Sequence, residues 1–155
     1  MAINATAFKV AKDVEQDPGT LLFHMDRWYL RARLTDGGKI YEGALIIAGD
    51  DMGEFITIST PTSCLGLVEN ASAELCAIGR LEGPGEAPTG SICWDEQGFY
   101  FVGGTGGNRY AVTPKGGDAD HVAVNHTYFC RTWGVWVCDD SGNRLGEDPV
   151  FTVEV

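Results

Sequence analysis

The clearest pattern of apolar and polar positions runs over residues 21–34. From Trp28 onward every second residue is apolar, and the positions between them carry arginine and tyrosine. This period-two alternation predicts a β-strand with one face toward the core. A second such run covers residues 39–48, and four turn-forming residues at 35–38 separate the two. The two runs are therefore predicted to pair as a β-hairpin.

The hairpin has two candidate registers. With Gly37-Gly38 at the tip, apolar residues of the two strands face one another and Arg33 faces Glu42. With the turn one residue earlier, Arg33 would face Ile40 instead. Because keeping one apolar face together and pairing opposite charges set the register, the Gly37-Gly38 turn is predicted. The predicted apolar pairs are Leu30 with Leu45, Trp28 with Ile47, and Leu34 with Tyr41.

Several shorter apolar runs follow, each bounded by glycine, proline or aspartate. Turn clusters recur roughly every 8–15 residues, which is typical of β-sandwiches and β-barrels. The chain is predicted to be all-β, an antiparallel sandwich or barrel built as one domain over residues 1–155. Residues 5–16 have mixed helical spacing, so they are expected to form either a short N-terminal helix or an extended arm. The predicted later strands are 54–60, 75–81, 91–94, 99–102, 109–113, a β-rich stretch at 122–138, and 150–155.

Composition and charge limit the partners. The net charge is −11, and so acidic a surface repels nucleic-acid phosphates and anionic membranes. Neither is expected as a partner, and no run approaches the ~18 apolar residues of a membrane helix. The N-terminus lacks the apolar stretch and cleavage site of a signal peptide, which predicts a cytoplasmic protein with reduced cysteines. Glycine occurs 21 times in 155 residues, well above the usual ~7%, and supplies many turns.

One predicted strand face is rich in arginine, although the chain as a whole is acidic. Arg27, Tyr29, Arg31 and Arg33 alternate along one side of the first predicted strand, and Ile46 lies on the same side of its partner. Arginine, tyrosine and aliphatic residues together are typical of a protein–protein interface. The alternatives are an ordinary outer face, whose arginine stems cover apolar neighbours, and a site for an acidic ligand. We interpret these five residues as a candidate interface.

Other residues could serve ligands. Exposed aromatic side chains can stack on sugar rings, and the candidates are Trp94, Tyr100 and Trp136. Acidic loops, such as 118–120 and 139–143, offer oxygen atoms of the kind that calcium binds, but none matches the twelve-residue calcium loop. Solvated turns are therefore favoured over calcium sites, and no metal ligand or other cofactor is predicted.

The run Gly103-Gly104-Thr105-Gly106-Gly107 resembles a phosphate-binding loop only in its glycines. No lysine followed by serine or threonine closes it, and no helix is predicted after it. A flexible hairpin loop is the favoured interpretation.

No catalytic motif appears in the sequence. His24 and Asp26 share a predicted strand face, but no nucleophile accompanies them. An enzyme assembled from distant residues stays open, since such sites are defined by geometry rather than sequence order. The sequence therefore favours a non-enzymatic structural or assembly protein, such as a phage or virus particle component of the decoration, tail or fibre type. Its partners would be copies of itself or other proteins of the assembly. The alternatives are a carbohydrate-binding β-sandwich and a small-molecule enzyme on a β-barrel.

Overall fold

The computed structural model describes residues 5–105 and 107–155 and shows an all-β protein. Within these ranges, fourteen strands form three antiparallel sheets, an arrangement consistent with a β-sandwich. The predicted fold class is confirmed. The strands are β1 Phe8–Lys12, β2 Leu21–His24, β3 Arg27–Asp36, β4 Lys39–Ala48, β5 Phe55–Thr57, β6 Ser63–Leu67, β7 Ser72–Ala77, β8 Glu82–Gly85, β9 Ile92–Asp95, β10 Gly98–Thr105, β11 Asn108–Val112, β12 Thr127–Cys130, β13 Thr132–Cys138 and β14 Phe151–Glu154.

The three sheets share one hydrophobic core. The six-stranded sheet has the order β1-β6-β2-β3-β4-β5, the five-stranded sheet β11-β10-β9-β12-β8, and the three-stranded sheet β14-β13-β7. Trp28 of the first sheet stacks on Phe151 of the third, with ring centroids 4.9 Å apart. Trp133 of the third sheet packs against Phe101 of the second at 5.5 Å. Alternating apolar positions of all three sheets therefore meet at one place.

The β3–β4 hairpin has the predicted register. Arg33 pairs with Glu42, and Leu30 and Leu34 pair with Leu45 and Tyr41. Gly37 and Gly38 form the tip with φ values of 57° and 80°, the backbone that a two-residue hairpin turn requires. One pair differs from the prediction.

Trp28 pairs with Ala48 rather than with Ile47. A β-bulge between Trp28 and Tyr29 shifts the register at this end of the hairpin. A bulge places an extra residue on one strand, here Ile47, which stays buried in the core.

The prediction of one long strand over residues 21–34 was wrong. A tight turn at Met25-Asp26 divides it into β2 and β3, and His24 pairs with Arg27 across that turn. Met25 and Asp26 have φ values of 50° and 61°. Methionine rarely adopts this left-handed backbone, so the sequence contains no local signal for the turn. His24 and Asp26 therefore do not lie on a common strand face.

Of the two alternatives for residues 5–16, the structure shows the extended one rather than an α-helix. Residues 5–7 and 13–15 form short 3-10 turns, and between them β1 pairs with β6 along the edge of the six-stranded sheet. Backbone pairing with β6, a strand that the sequence did not predict, overrides the weak helical spacing of the segment.

Two further segments differ from the sequence expectation. β8 pairs with β12 and lies in a glycine- and proline-rich stretch between the predicted strands 75–81 and 91–94, where no strand was predicted. Gly103 and Gly104 belong to β10 and pair with Tyr110 and Arg109, so they are strand rather than flexible loop. Gly106 lies outside the described residues.

Candidate functional site

The predicted arginine interface lies on the outer face of the six-stranded sheet, and the chain itself covers part of it. Arg31 and Ile46 are almost completely buried. The Arg31 Nε donates to the carbonyl oxygen of Asp13 at 3.2 Å, in the 3-10 turn that packs over the sheet. The placement of Arg31 and Ile46 on an exposed face is therefore corrected: both are buried, and the N-terminal segment folds back against Arg31.

The other three residues of this face have partners within the chain, and Arg27 and Tyr29 interact with each other. Arg27 forms an ion pair with Asp51, and Arg33 forms one with Glu42. Tyr29 is half-buried and lines a small cavity of about 170 Å³. Arg27 and Arg33 thus already have carboxylate partners within the chain.

His24 lines the same small cavity as Tyr29. The other walls are largely apolar and include Leu22, Ile56 and Cys64. Few polar groups in the cavity could therefore bind a substrate beside His24.

The predicted aromatic ligand residues are not brought together. Tyr100 is buried, and its hydroxyl donates to Asp95 at 2.9 Å. Trp136 lies under the guanidinium of Arg144, which is 4.1 Å from the ring centroid. Trp94 is half-buried and opens onto a surface depression. Of the three, Trp94 lies at the most accessible apolar surface.

Asp95, Tyr100 and His121 form a polar cluster beside a second group of buried residues, to which Tyr100 belongs. The Tyr100 hydroxyl lies 3.2 Å from His121 Nε2, which is 3.4 Å from Asp95. Burial and the hydrogen bond to Asp95 raise the pKa of Tyr100. Partial burial opposes ionisation of Asp95, but hydrogen bonds from Gln97 and Tyr100 lower its pKa. A charged carboxylate that accepts a hydrogen bond from a neutral phenol is typical of a structural contact. This contact connects β9, β10 and the loop that contains His121.

Two cysteines share one carboxylate on the outer face of the three-stranded sheet. The thiols of Cys76 and Cys138 donate to the two oxygens of Glu74 at 3.1 and 3.3 Å, and Arg144 lies 2.7 Å from one of them. Hydrogen bonds from Arg144, Cys76 and Cys138 lower the pKa of Glu74 to about 2. Burial and Glu74 raise the pKa of both thiols, so they are poor nucleophiles. Among the described residues, no three His, Cys, Asp or Glu side chains are arranged to hold a metal ion.

We call the apolar hollow beside Trp94 the Trp94 depression. Trp94 and Tyr128 pair across β9 and β12, so their side chains lie on one face. Two residues along each strand, on the same face, Ile92 and Cys130 are fully buried in the core. Trp94 and Tyr128 therefore lie on the core-facing side of their strands, but beyond the point at which the core ends. It has a volume of about 360 Å³ and is lined by Ala77, Gly79, Leu81, Trp94, Tyr128 and Cys130.

A second opening, the hairpin cleft, lies between the β3–β4 and β10–β11 hairpins. β5 and residues 118–122 complete its walls, and its volume is about 730 Å³. Sequence reasoning missed this cleft because its walls come from four separate segments. Its principal side chains are Asp36, Tyr41, Phe55, Tyr110, Asp118 and Asp120.

Comparison of the chain with protein-family models, curated proteins and solved structures finds no match. In the part of the chain that the structure describes, no helix is long and apolar enough to cross a membrane.

Proposed function

We propose that this protein is a non-enzymatic assembly subunit that associates with further copies of itself through the Trp94 depression. The supporting observation is an exposed apolar surface formed by Trp94 and Tyr128 together with Leu81 of the β7–β8 connection. Leu81 is 61% exposed and Tyr128 is 49% exposed, and both line the same hollow. Contiguous exposed apolar surface is characteristic of protein interaction sites. A phage or virus particle component, as the sequence suggested, is the specific form of this proposal.

The charges around the depression favour a second copy as the partner. The chain carries a net charge of −11, so two copies repel each other over most of their surfaces. Beside the depression, however, a shallow cavity is lined by two arginines and two glutamates, which cancel. This locally neutral surface is where a second acidic copy can approach with the least repulsion. The four charged residues are Arg80, Glu82, Arg131 and Glu154.

Two of these four charges are left for an intermolecular contact. Arg131 pairs with Glu82 at 3.1 Å. Within the described ranges, Arg80 and Glu154 have no ion-pair partner. In a two-fold contact the same patch meets itself, so Arg80 of each copy can pair with Glu154 of the other. The apolar hollow would supply the binding energy and the charges the orientation.

The test is the molar mass in solution, measured by size-exclusion chromatography with light scattering over a range of concentrations. We expect the wild type to form oligomers and Leu81→Asp to be a monomer, because the new carboxylate would be buried against an apolar surface. Ile40→Asp is the matched control, since Ile40 is an exposed apolar residue on the β3–β4 hairpin. It should keep the wild-type mass. Circular dichroism checks that each variant is folded.

A charge exchange tests whether the contact is between copies. Arg80→Glu should weaken association, and the double variant Arg80→Glu, Glu154→Arg should restore it. A monodisperse wild-type monomer at the highest soluble concentration would overturn the proposal. Equal masses for Leu81→Asp and wild type would also exclude the Trp94 depression as the interface.

A further inference from the structure

Three aromatic side chains line the hairpin cleft, and two of them occupy space that glycines leave open. A Cβ at Gly43 would overlap the ring of Phe55. A Cβ at Gly103 would lie 2.9 Å from the ring of Tyr110. The third aromatic residue, Tyr41, is partly exposed. The cavity volume of about 730 Å³ lies within the usual range for small-molecule sites.

Carboxylates lie in the same cleft. The Asp118 Oδ2 accepts the backbone N–H of Thr35 at 3.1 Å, which ties the 118–122 loop to β3. In the described part of the chain, the carboxylates of Asp36 and Asp120 have no hydrogen-bond or ion-pair partner. Two negative charges thus border the aromatic walls without an ion pair in the described residues; Lys39, which faces Asp36 across the hairpin, does not line the cleft.

The arginine that lines the cleft is engaged elsewhere. Arg109 donates to the carbonyl oxygen of Ala87 and to Asn125 Oδ1, and lies 3.9 Å from Glu86. These contacts hold its guanidinium away from Asp36. The cleft therefore keeps a negative charge beside its aromatic rings.

Aromatic faces and uncompensated carboxylates together select for positive charge. The ring quadrupole attracts a cation that lies over its face, and this attraction grows when water is displaced. A neutral sugar could stack on the rings and donate its hydroxyls to the carboxylates, but it would leave their negative charge uncompensated, and an anion would be repelled. We propose that the hairpin cleft binds an organic cation, the ammonium group of a small alkylated amine or of a lysine side chain. This site is separate from the Trp94 depression and does not depend on self-association.

The test compares choline with its neutral isostere, 3,3-dimethylbutan-1-ol, by NMR titration of the 15N-labelled protein. We expect choline to shift the amide resonances of residues 41, 110 and 120, and the neutral alcohol to bind at least about tenfold more weakly. Nα-acetyl-lysine amide and its trimethylated form distinguish a peptide lysine from an alkylated amine by their relative affinities. Glucose tests for a sugar site. The titrations are repeated with Leu81→Asp, so that failure of self-association leaves this result unaffected.

Matched variants test whether choline binds in the cleft or is only attracted by the negative charge of the whole protein. Tyr41→Ala and Asp120→Asn should each weaken choline binding about fivefold. Asp140→Asn removes a carboxylate from an exposed position outside the cleft and should leave the affinity unchanged. All three residues are exposed, and the NMR spectrum shows directly whether each variant is folded.

Three results would overturn the proposal. The first is no shift of cleft resonances with choline or with either lysine derivative. The second is equal affinity for choline and the neutral alcohol. The third is binding of glucose alone, which would make the cleft a carbohydrate site.

Discussion

Arg31 and Glu42 form an ion pair across β3 and β4 in which the cation is buried and the anion is partly open. Their side chains are 5% and 41% exposed, and Arg31 Nη2 lies 3.0 Å from Glu42 Oε2. Arg31 Nη1 also donates to the carbonyl oxygens of Ala32 and Gly43, and Nε donates to Asp13. Arg31 therefore connects the hairpin to the N-terminal 3-10 turn.

Replacing Arg31 should destabilise the fold. We expect Arg31→Met to lower the free energy of unfolding by about 2 kcal/mol, because three buried carbonyl contacts lose their donor. Arg33→Met is the control: it also pairs with Glu42, but its side chain is 53% exposed, so the loss should stay below about 1 kcal/mol. Urea denaturation measures both. Equal losses would show that Arg31 is no more than a surface arginine.

The start of the β10–β11 turn should tolerate no side chain. Gly104 has a φ of 102°, and a Cβ there would overlap the carbonyl oxygen of Asn108. We expect Gly104→Ala to cost about 2 kcal/mol or more. At Gly107 the added Cβ meets nothing within 4 Å among the described residues, so Gly107→Ala should change stability by less than about 0.5 kcal/mol. Thermal unfolding of the pair would contradict this interpretation if the two losses were the same.

Acid should destabilise the protein through Glu74. Its pKa falls from an ordinary 4.5 to about 2 because of hydrogen bonds from Arg144 and two thiols. A pKa that is lower in the folded state stabilises the fold above pH 4.5, and this contribution is lost as the pH falls toward 2. Glu74→Gln should therefore make the free energy of unfolding less dependent on pH in that window. Glu96→Gln, at an exposed turn position, should keep the wild-type slope, and matching slopes for both variants would refute the role of Glu74.

The same carboxylate should suppress the reactivity of Cys76. Burial and the hydrogen bond to Glu74 raise the pKa of the Cys76 thiol. In Glu74→Gln the negative neighbour is gone, so the thiolate fraction and the rate of alkylation by iodoacetamide at pH 8 should rise. Burial raises the pKa of Cys93 to about 12, and its rate should not change. Peptide mass spectrometry follows each cysteine, and an unchanged Cys76 rate would argue against the effect.

The sequence by itself determined the local pairing of strands. Alternation along residues 27–48 and the two glycines at 37–38 specify which residues meet across β3 and β4. A one-residue slip would bury polar side chains, so only one register is compatible with a core. The strands predicted at 91–94 and 99–102 also form, as β9 and β10, which pair with each other. The Met25-Asp26 turn could not be predicted, since its left-handed backbone is imposed by pairing of β2 and β3 rather than by glycine.

Only the tertiary structure decided which faces are open. Alternation places Arg31 and Ile46 on the outer side of a sheet, but both are buried there, Arg31 against the folded-back N-terminal turn. Alternation likewise places Trp94 on a core-facing side, yet the core ends before it reaches Tyr128. The Trp94 depression and the hairpin cleft depend on where separate sheets and loops end relative to one another. Such long-range placement is set by packing in three dimensions, which local periodicity does not encode.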